Sequence, residues 1–541
     1  MLRPVSSLGL ALLLGAPAHA QDAVAKVDTL FSWVTPGMPG CAVAVAQNGE
    51  VLVNRAYGLA NLETGAPIGP RTVFDIGSVQ KQFSAAAALL LVEEGRLSLS
   101  ADIREYLPEL PDNGHRVTLD HLMTHTSGVR DWLALMNFNS GDEDALTLIL
   151  RQHGLNFAPG ERWAYSNSNF ELVKEIVARV SGMSFSEFAR TRLFEPLGME
   201  NAMYAADITA AEHGARAYER EGDVWQPAML LGVERGGGAV LSTVSDLLLW
   251  NEALTSGRLG AFVTGRLQEP ARLNNGRDLT YARGLFAEDT PFGRAVWHTG
   301  SARAFGALLS RLPDHGLSIA MLCNAGDAVD RNMEGRRIAD LFLPEGVVRE
   351  VEAAESPAAA RAVAVDLTGK AGLFFSERDG EPLRLIVQNG RLRVAGGPVL
   401  VTVAEDRFRN PSGRLSFMSE DEFELHFLSP DELVLTSMEG EKARYRRARP
   451  YAPGAAELQE FAGRYESDDL GAVFETSPGD NAVVIRLNGA QTIPFAPVDP
   501  DTFQRGPLTV RFLRDDTGQV TALDFSTPVL RNVRFARPDS E

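Results

Sequence analysis

Ser78 and Lys81 stand three positions apart at the start of an Ala/Leu-rich segment, Phe83 to Glu94. On a helix these two side chains share one face and point into the same cleft. A serine hydroxyl is a poor nucleophile until a neighbour removes its proton, and a lysine can do this when burial or another cation favours its neutral form. The free N–H groups of the first turn would suit an oxyanion. Taken alone, the Ser-x-x-Lys spacing has a second, non-catalytic interpretation: a serine that caps the helix N-terminus, followed by a solvent-exposed lysine.

A second group, Tyr165-Ser166-Asn167, follows the loop FAPG at 157–160. The hydroxyl of Tyr165 can relay a proton, and the amide of Asn167 can bind both a lysine and a substrate carbonyl. By itself the group is equally typical of a core tyrosine beside a solvated turn.

A third group, His298-Thr299-Gly300, stands at the start of a predicted strand, where a histidine at a strand edge without a catalytic role is also compatible with the pattern. The small Gly300 lets a substrate backbone approach that strand closely. We expect the N–H of Ser301 to form an oxyanion hole together with the N–H of Ser78.

The three groups occur in the order Ser-x-x-Lys, Tyr-x-Asn, His-Thr-Gly, and this order resembles the serine β-lactamase and penicillin-binding-protein superfamily, in its class C β-lactamase and DD-peptidase branch. The segments LMTHTSG at 122–128 and GGGAVLST at 236–243 also look like that branch. The resemblance covers roughly residues 25–345 and implies catalysis through an acyl-enzyme on Ser78. The residues that it assigns to catalysis are Ser78, Lys81, Tyr165 and His298, and those that it assigns to substrate or oxyanion binding are Asn167, Thr299, Gly300 and Ser301.

The third motif is His-Thr-Gly where many members of the superfamily have Lys-Thr-Gly. In this respect the sequence resembles certain secreted DD-carboxypeptidases and the D-aminopeptidases. The resemblance therefore implies a peptidase acting on short peptides with D-residues. An esterase or a β-lactamase would use the same residues, so the motifs do not separate these activities. A non-catalytic, penicillin-recognising binding module is disfavoured because the nucleophile and its partners are intact.

The elements that must position these residues are strands and helices in an α/β sandwich. Strands are predicted at both ends of the β-lactamase-like segment. At its start, Asn48-Gly49 indicates a type I′ hairpin between two strands, and at its end the run LSIAMLCNA indicates a closing strand. Helices are predicted between them, at 83–94, 141–153 and 168–181. Cys41 and Cys323 fall on the opening and closing strands, where a disulfide and two buried thiols are both compatible with the pattern.

The C-terminal part contains a weak internal repeat. Leu367–Phe374 parallels Leu458–Tyr465, and each copy continues to an Asn-Gly turn, at 389–390 and 488–489. Short alternating strands with frequent turns predict two small antiparallel, lipocalin-like β-barrels. The predicted domains are a signal peptide at 1–20, a β-lactamase-like domain at 21–346, a linker at 347–366, and barrels at 367–450 and 455–541.

In the D-aminopeptidase family, which this arrangement resembles, a loop of the last barrel restricts access to the site. The loop Gln504 to Pro507 is the candidate here. A domain of the size of 21–346 has enough core to fold alone, so we expect the barrels to be dispensable for folding.

Export is predicted from Arg3, the apolar run 8–15 and the Ala18-His19-Ala20 cleavage site, which together indicate a periplasmic or secreted protein. The 541 residues carry a net charge of −19, which argues against nonspecific nucleic-acid or anionic-membrane binding. The expected partner is a small peptide, ester or β-lactam. No zinc-type cluster is visible in the sequence, and no cofactor or metal is predicted.

Overall fold

The computed structural model describes residues 18–538, except 140, 207, 229–237, 291, 345–346, 348–364, 379, 396–398, 411–422, 438–441, 450 and 490. Most of the predicted signal peptide, Gly236 and Gly237, and most of the predicted linker lie outside the described residues. In the described part of the chain, no helix is long and apolar enough to cross a membrane.

A six-stranded antiparallel sheet is the centre of the N-terminal domain. The strands of this domain are, in chain order, β1 (Cys41–Gln47), β2 (Glu50–Tyr57), β3 (Leu59–Asn61), β4 (Ala66–Pro67), β5 (Phe74–Asp75), β6 (Met203–Ala205), β7 (Tyr218–Glu221), β8 (Val224–Pro227), β9 (Ala239–Ser242), β10 (Phe286–Thr290), β11 (Gly293–Ala302), β12 (Phe305–Leu312) and β13 (Leu317–Cys323). The large sheet has the order β10-β11-β12-β13-β1-β2. It therefore gathers strands from both ends of the domain, as the sequence predicts.

Helices cover both faces of this sheet. They are α1 (Ala18–Leu30), α2 (Lys81–Glu93), α3 (Leu119–Met123), α4 (Trp132–Met136), α5 (Ala145–Leu150), α6 (Asn167–Ser181), α7 (Phe185–Ala189), α8 (Glu195–Leu197), α9 (Val244–Ser256), α10 (Ala261–Leu267) and α11 (Arg331–Phe342). The predicted helices at 83–94 and 168–181 correspond to α2 and α6. The one predicted at 141–153 is shorter, because Asp144 caps α5 and delays its start.

Successive side chains along the strands point alternately into two apolar clusters, one on each face of the sheet. Ala42 and Ala44 of β1 pack with α2 and α9, whereas Val43 and Val45 pack with α1 and α11. Because both faces of the sheet are covered, β1 reads as an apolar run rather than as an apolar-polar alternation. The middle of α2, from Ala85 to Leu91, consists of apolar residues on all sides because the helix lies inside the domain.

The hairpin between β1 and β2 turns at Asn48-Gly49, and both residues have positive φ (52° and 81°), as a type I′ turn requires. Cys41 pairs directly with Cys323 across β1 and β13. The two cysteines form a disulfide, which decides between the alternatives that the sequence leaves open.

Two eight-stranded antiparallel barrels follow. The first is nearly closed and contains β14 (Gly372–Ser376), β15 (Pro382–Gln388), β16 (Arg391–Val394), β17 (Val401–Ala404), β18 (Arg407–Arg409), β19 (Phe423–Ser429), β20 (Glu432–Ser437) and β21 (Lys442–Arg447). The second is closed and contains, after a short helix α12 (Ala455–Glu460), β22 (Gly463–Ser467), β23 (Ala472–Gly479), β24 (Ala482–Leu487), β25 (Gln491–Asp499), β26 (Thr502–Arg505), β27 (Leu508–Arg514), β28 (Val520–Ser526) and β29 (Val533–Ala536). An α/β domain with two antiparallel barrels confirms the predicted fold class.

The loop predicted to border the active site lies on a hairpin that contacts the first barrel. Gln504 donates a hydrogen bond to the carbonyl of Pro382 in the first barrel, and Arg511 of the same hairpin donates to the carbonyl of Gly380. These contacts turn the hairpin of Gln504 toward the first barrel. The second barrel reaches the N-terminal domain through other turns, described below.

Candidate active site

Ser78 lies on a single helical turn, Gly77–Gln80, that leads directly into α2. The strand β11 runs close against this turn. A Cβ added to Gly300 would stand 1.9 Å from the carbonyl oxygen of Ile76, and one added to Gly77 would stand 2.6 Å from the backbone nitrogen of Ser301. Glycine at both positions therefore brings the backbone of Ser301 beside the nucleophile turn, where an oxyanion hole formed by Ser78 and Ser301 would lie.

Lys81 is buried beneath Ser78. Its Nζ donates hydrogen bonds to Ser78 Oγ and to Asn167 Oδ1, both at 3.0 Å. Burial lowers the pKa of Lys81 to about 7, although the carboxylates of Asp131 and Glu171 act in the opposite direction. A substantial neutral fraction near neutral pH is the state that a general base requires.

Tyr165 contacts the nucleophile from the other side. Its hydroxyl donates to Ser78 Oγ at 2.7 Å, and Lys81 Nζ lies 4.7 Å from the centre of its ring. Burial raises the pKa of Tyr165 above its usual value, so the phenol keeps its proton. Because the pKa of Lys81 is lowered and the pKa of Tyr165 is raised, Lys81 is favoured as the group that accepts the Ser78 proton, with Tyr165 as a proton relay.

Asn167 is the first residue of α6, and the carboxylate of Asp131 holds it. Asp131 Oδ2 accepts from the backbone N–H of Asn167 and, at 2.9 Å, from its Nδ2. The amide is thereby oriented with Oδ1 toward Lys81. Asp131 also caps α4, where Oδ1 accepts from the N–H groups of Leu133 and Ala134. No sequence motif marked Asp131, although its position directly before an apolar helix is the signal of an N-cap.

The segment 122–128, singled out in the sequence, supports the loop that carries Tyr165. His125 Nδ1 accepts from the Ser166 N–H at 3.2 Å and from Asn169 Nδ2 at 3.1 Å. Its ring centre lies 4.3 Å from that of Tyr165. Burial lowers the pKa of His125 well below its usual value, so it acts as a neutral packing and hydrogen-bonding group.

His298 is buried on β11, and its ring centre lies 6.3 Å from that of Tyr165. Nδ1 faces the carbonyl of Thr299, which can only accept, so Nδ1 carries the proton. Nε2 is then the acceptor, and the hydroxyl of Tyr281 donates to it at 3.2 Å. Burial lowers the pKa of His298 to about 3, which makes it a neutral group.

The structure thus brings Ser78, Lys81, Tyr165 and Asn167 into one hydrogen-bonded cluster. His298 and Gly300 stand on the strand beside it, with the half-buried Thr299 between them and Ser301 next along the strand. Sequence reasoning missed Asp131 and Tyr281, which contact these groups without belonging to a motif. Chemically, the cluster can deprotonate a serine, deliver its oxygen to a carbonyl carbon and return a proton to a leaving group.

Comparison with known proteins identifies a family and relatives of this chain. The Beta-lactamase family model matches residues 20–342. Penicillin-binding protein 4* of Bacillus subtilis (strain 168) is 28% identical over 380 residues, covering 65% of this chain and 82% of that protein. The D-aminopeptidase of Brucella canis is 25% identical over 530 residues, covering 92% of this chain and 96% of that protein.

Among solved structures, the octameric penicillin-binding protein homologue from Pyrococcus abyssi shares the fold. It matches with a TM-score of 0.54 at 20% identity, covering 78% of this chain and 99% of that chain. The motif order, the hydrogen-bonded serine and lysine, and a family match that spans the N-terminal domain lead to one conclusion. The chain belongs to the Beta-lactamase family.

Proposed function

We propose that the protein is an exported serine hydrolase that forms an acyl-enzyme on Ser78. The observation that carries this proposal is the double contact of Ser78 Oγ, with Lys81 Nζ at 3.0 Å and the Tyr165 hydroxyl at 2.7 Å. Lys81 is buried and Tyr165 is half-buried, so water competes only weakly with the hydrogen bond between Lys81 and the serine.

In the proposed acylation, neutral Lys81 takes the proton of Ser78 while Oγ attacks the substrate carbonyl. The backbone N–H groups of Ser78 and Ser301 would stabilise the oxyanion. Collapse of the tetrahedral intermediate breaks the bond to the leaving amine or alkoxide, which receives a proton from Lys81 through Tyr165. Water then attacks the ester by the same route in reverse, which releases the acid and restores the Ser78 hydroxyl.

For the substrate we propose a short peptide with D-residues, of the D-aminopeptidase or DD-carboxypeptidase type. The alignment with the D-aminopeptidase of Brucella canis extends over 92% of this chain and therefore includes both barrels. An esterase or a β-lactamase would share the catalytic cluster, so substrate comparison has to separate these activities.

Export is proposed from the sequence of residues 1–20. A mature chain that begins near Gln21 would keep Ala23, Val27 and Phe31, which α1 and the residue after it bury against the sheet.

The experiment that tests the proposed function is a substrate panel with purified protein. The panel pairs D-alanine p-nitroanilide with its L-enantiomer and adds a D-Ala-D-Ala peptide, nitrocefin and p-nitrophenyl acetate. The proposal predicts the highest kcat/KM on a D-configured peptide or anilide, and loss of all activities in Ser78→Ala. A preference for nitrocefin or for the simple ester would assign the protein to the alternative activities.

A further inference from the structure

The second barrel is packed into the N-terminal domain rather than attached beside it. Leu135 of α4 and Leu148 of α5 are fully buried in the same apolar cluster as Leu470 of the barrel. The ring of Phe138 makes an edge contact with Phe525, at 4.9 Å between ring centres. The two parts therefore share a continuous core at this interface.

A buried ion pair crosses the interface beside this shared core. Arg130 donates from Nη1 to Asp469 Oδ2 at 2.6 Å, and the two side chains are only 3% and 11% exposed. Asp469 lies on the turn between β22 and β23. Nη2 of the same arginine donates to the carbonyls of Arg531 and Asn532, at 3.1 and 3.0 Å. The second barrel thus supplies most of the acceptors that this guanidinium uses.

Arg130 begins a short segment, Arg130–Trp132, that is bound to the start of α6. Its carbonyl accepts from Ser168 Oγ at 2.6 Å, and Ser168 Oγ accepts from the Trp132 N–H at 2.8 Å. Between these two bonds stands Asp131, which holds the amide of Asn167. Asn167 Oδ1 in turn accepts from Lys81 Nζ. Every step from the barrel to the catalytic lysine is a hydrogen bond, an ion pair or one residue of chain.

We propose that Asp469 of the second barrel is a positioning residue for catalysis: its ion pair with Arg130 fixes the Arg130–Trp132 segment, and thereby holds Asn167 against Lys81. The idea rests on the proposed function insofar as Lys81 activates Ser78. The second barrel would then help to position the catalytic residues, in addition to any effect on substrate access.

The energetics favour a strong effect. Removing one partner of a buried ion pair leaves an uncompensated charge that must be solvated or neutralised. Without the charge of Asp469, Arg130 gains by turning toward water, and the bonds of Ser168 alone would hold the backbone of the Arg130–Trp132 segment. Couplings of this kind through packed networks commonly change a distant rate by about tenfold.

The first test measures the rate of Ser78 acylation by a fluorophosphonate in Asp469→Asn, which keeps the shape of the side chain and removes its charge. We expect a decrease of about tenfold. Asn156→Ala is the matched control, because it removes two bonds across the same interface, to Val529 and Arg531, and leaves the ion pair intact. It should lower thermal stability to a similar extent and leave the acylation rate within about twofold.

A double-mutant cycle with Asn167→Ala tests the route. If Asp469 acts through Asn167, Asp469→Asn should have no further effect on acylation in the Asn167→Ala background. Full additivity of the two effects, or an unchanged rate in Asp469→Asn alone, would overturn the proposal.

A second measurement does not depend on catalysis. Amide hydrogen exchange in Asp469→Asn should accelerate in peptides covering 129–136 and 164–172, whereas Asn156→Ala should leave 164–172 unchanged. Absence of labelling in the wild-type protein would refute the proposed function, but the exchange experiment would still decide the role of Asp469. Equal exchange at 164–172 in wild type and Asp469→Asn would refute that role whatever the labelling shows.

Discussion

The hydroxyl of Tyr281 donates a hydrogen bond to Nε2 of His298 at 3.2 Å, while Nδ1 of the same ring faces the carbonyl of Thr299. This arrangement fixes a neutral imidazole with its proton on Nδ1. His298 therefore differs in kind from the lysine of the related Lys-Thr-Gly motif. It offers the site a dipolar group, whereas a lysine offers a positive charge.

Tyr281→Phe should lower kcat for p-nitrophenyl acetate by about tenfold, because removing a buried hydrogen-bond donor leaves Nε2 of His298 unpaired. The control is Tyr465→Phe, which removes an equally buried phenol in the second barrel. Both variants should lose about 1 kcal/mol of unfolding free energy. A fall in kcat of the same size in both variants would contradict a specific role for Tyr281.

Asp131→Asn should move the pH dependence of acylation to lower pH. The carboxylate of Asp131 raises the pKa of Lys81, which burial lowers to about 7. The acylation rate should rise with pH as Lys81 loses its proton, so removal of the carboxylate lowers the pKa and brings the rise to lower pH.

The measurement is the acylation rate between about pH 5 and 9. The single carbonyl oxygen of asparagine can keep the cap of α4, but its Nδ2 would then face the donors of Asn167, so the readout is the pH of the rise and not the size of the rate. Asp144→Asn, at the cap of α5, is the matched control. A shift to higher pH, or an equal shift in Asp144→Asn, would refute the assignment of the rise to Lys81.

Much of the fold and site could be predicted because the signals are local. Ser78 and Lys81 are three residues apart, and the Asn-Gly pairs at 48–49, 389–390 and 488–489 all adopt the positive φ angles that such turns require. Asp131 and Tyr281 could not be found in this way. Their roles depend on tertiary contacts with Asn167 and His298, and nothing in their own sequence neighbourhood specifies those partners.

The disulfide illustrates the same limit. The sequence placed Cys41 and Cys323 on strands of one sheet, but only the strand order makes them direct neighbours. The role of the loop at Gln504 came from a resemblance and stays a prediction. The contact of Gln504 with Pro382 of the first barrel could not be predicted from the sequence.

Reduction of the disulfide should destabilise the protein. The bond closes a loop of 282 residues, and in the chain-entropy model a cross-link of that span stabilises by roughly 5 kcal/mol, mainly by restricting the unfolded chain. We expect a clear drop in Tm with dithiothreitol, and none in Cys41→Ala/Cys323→Ala, which should already melt at the lower temperature. An unchanged Tm with both thiols shown to be free would contradict the prediction.

A chain ended after Leu343 should be much less stable than the full protein. The sequence alone suggested that the N-terminal domain would fold independently, but Leu135 and Leu148 would lose their apolar cover and Arg130 its ion pair. Exposing a leucine side chain that was fully buried costs about 2 kcal/mol of unfolding free energy.

The comparison is thermal unfolding of the truncated and full chains. A truncated wild-type domain with the Tm of the full protein would show that the interface contributes little to stability.

Acyl-enzyme formation on Ser78 is tested most directly by intact-protein and peptide mass spectrometry during turnover of p-nitrophenyl acetate. We expect a burst of p-nitrophenol stoichiometric with enzyme and an acetyl group on Ser78. We also expect Lys81→Ala, which removes the base hydrogen-bonded to Ser78 Oγ, to slow the burst by roughly 10⁴-fold. An acetyl group on another residue, or an unchanged burst in Ser78→Ala, would contradict acyl-enzyme formation on Ser78.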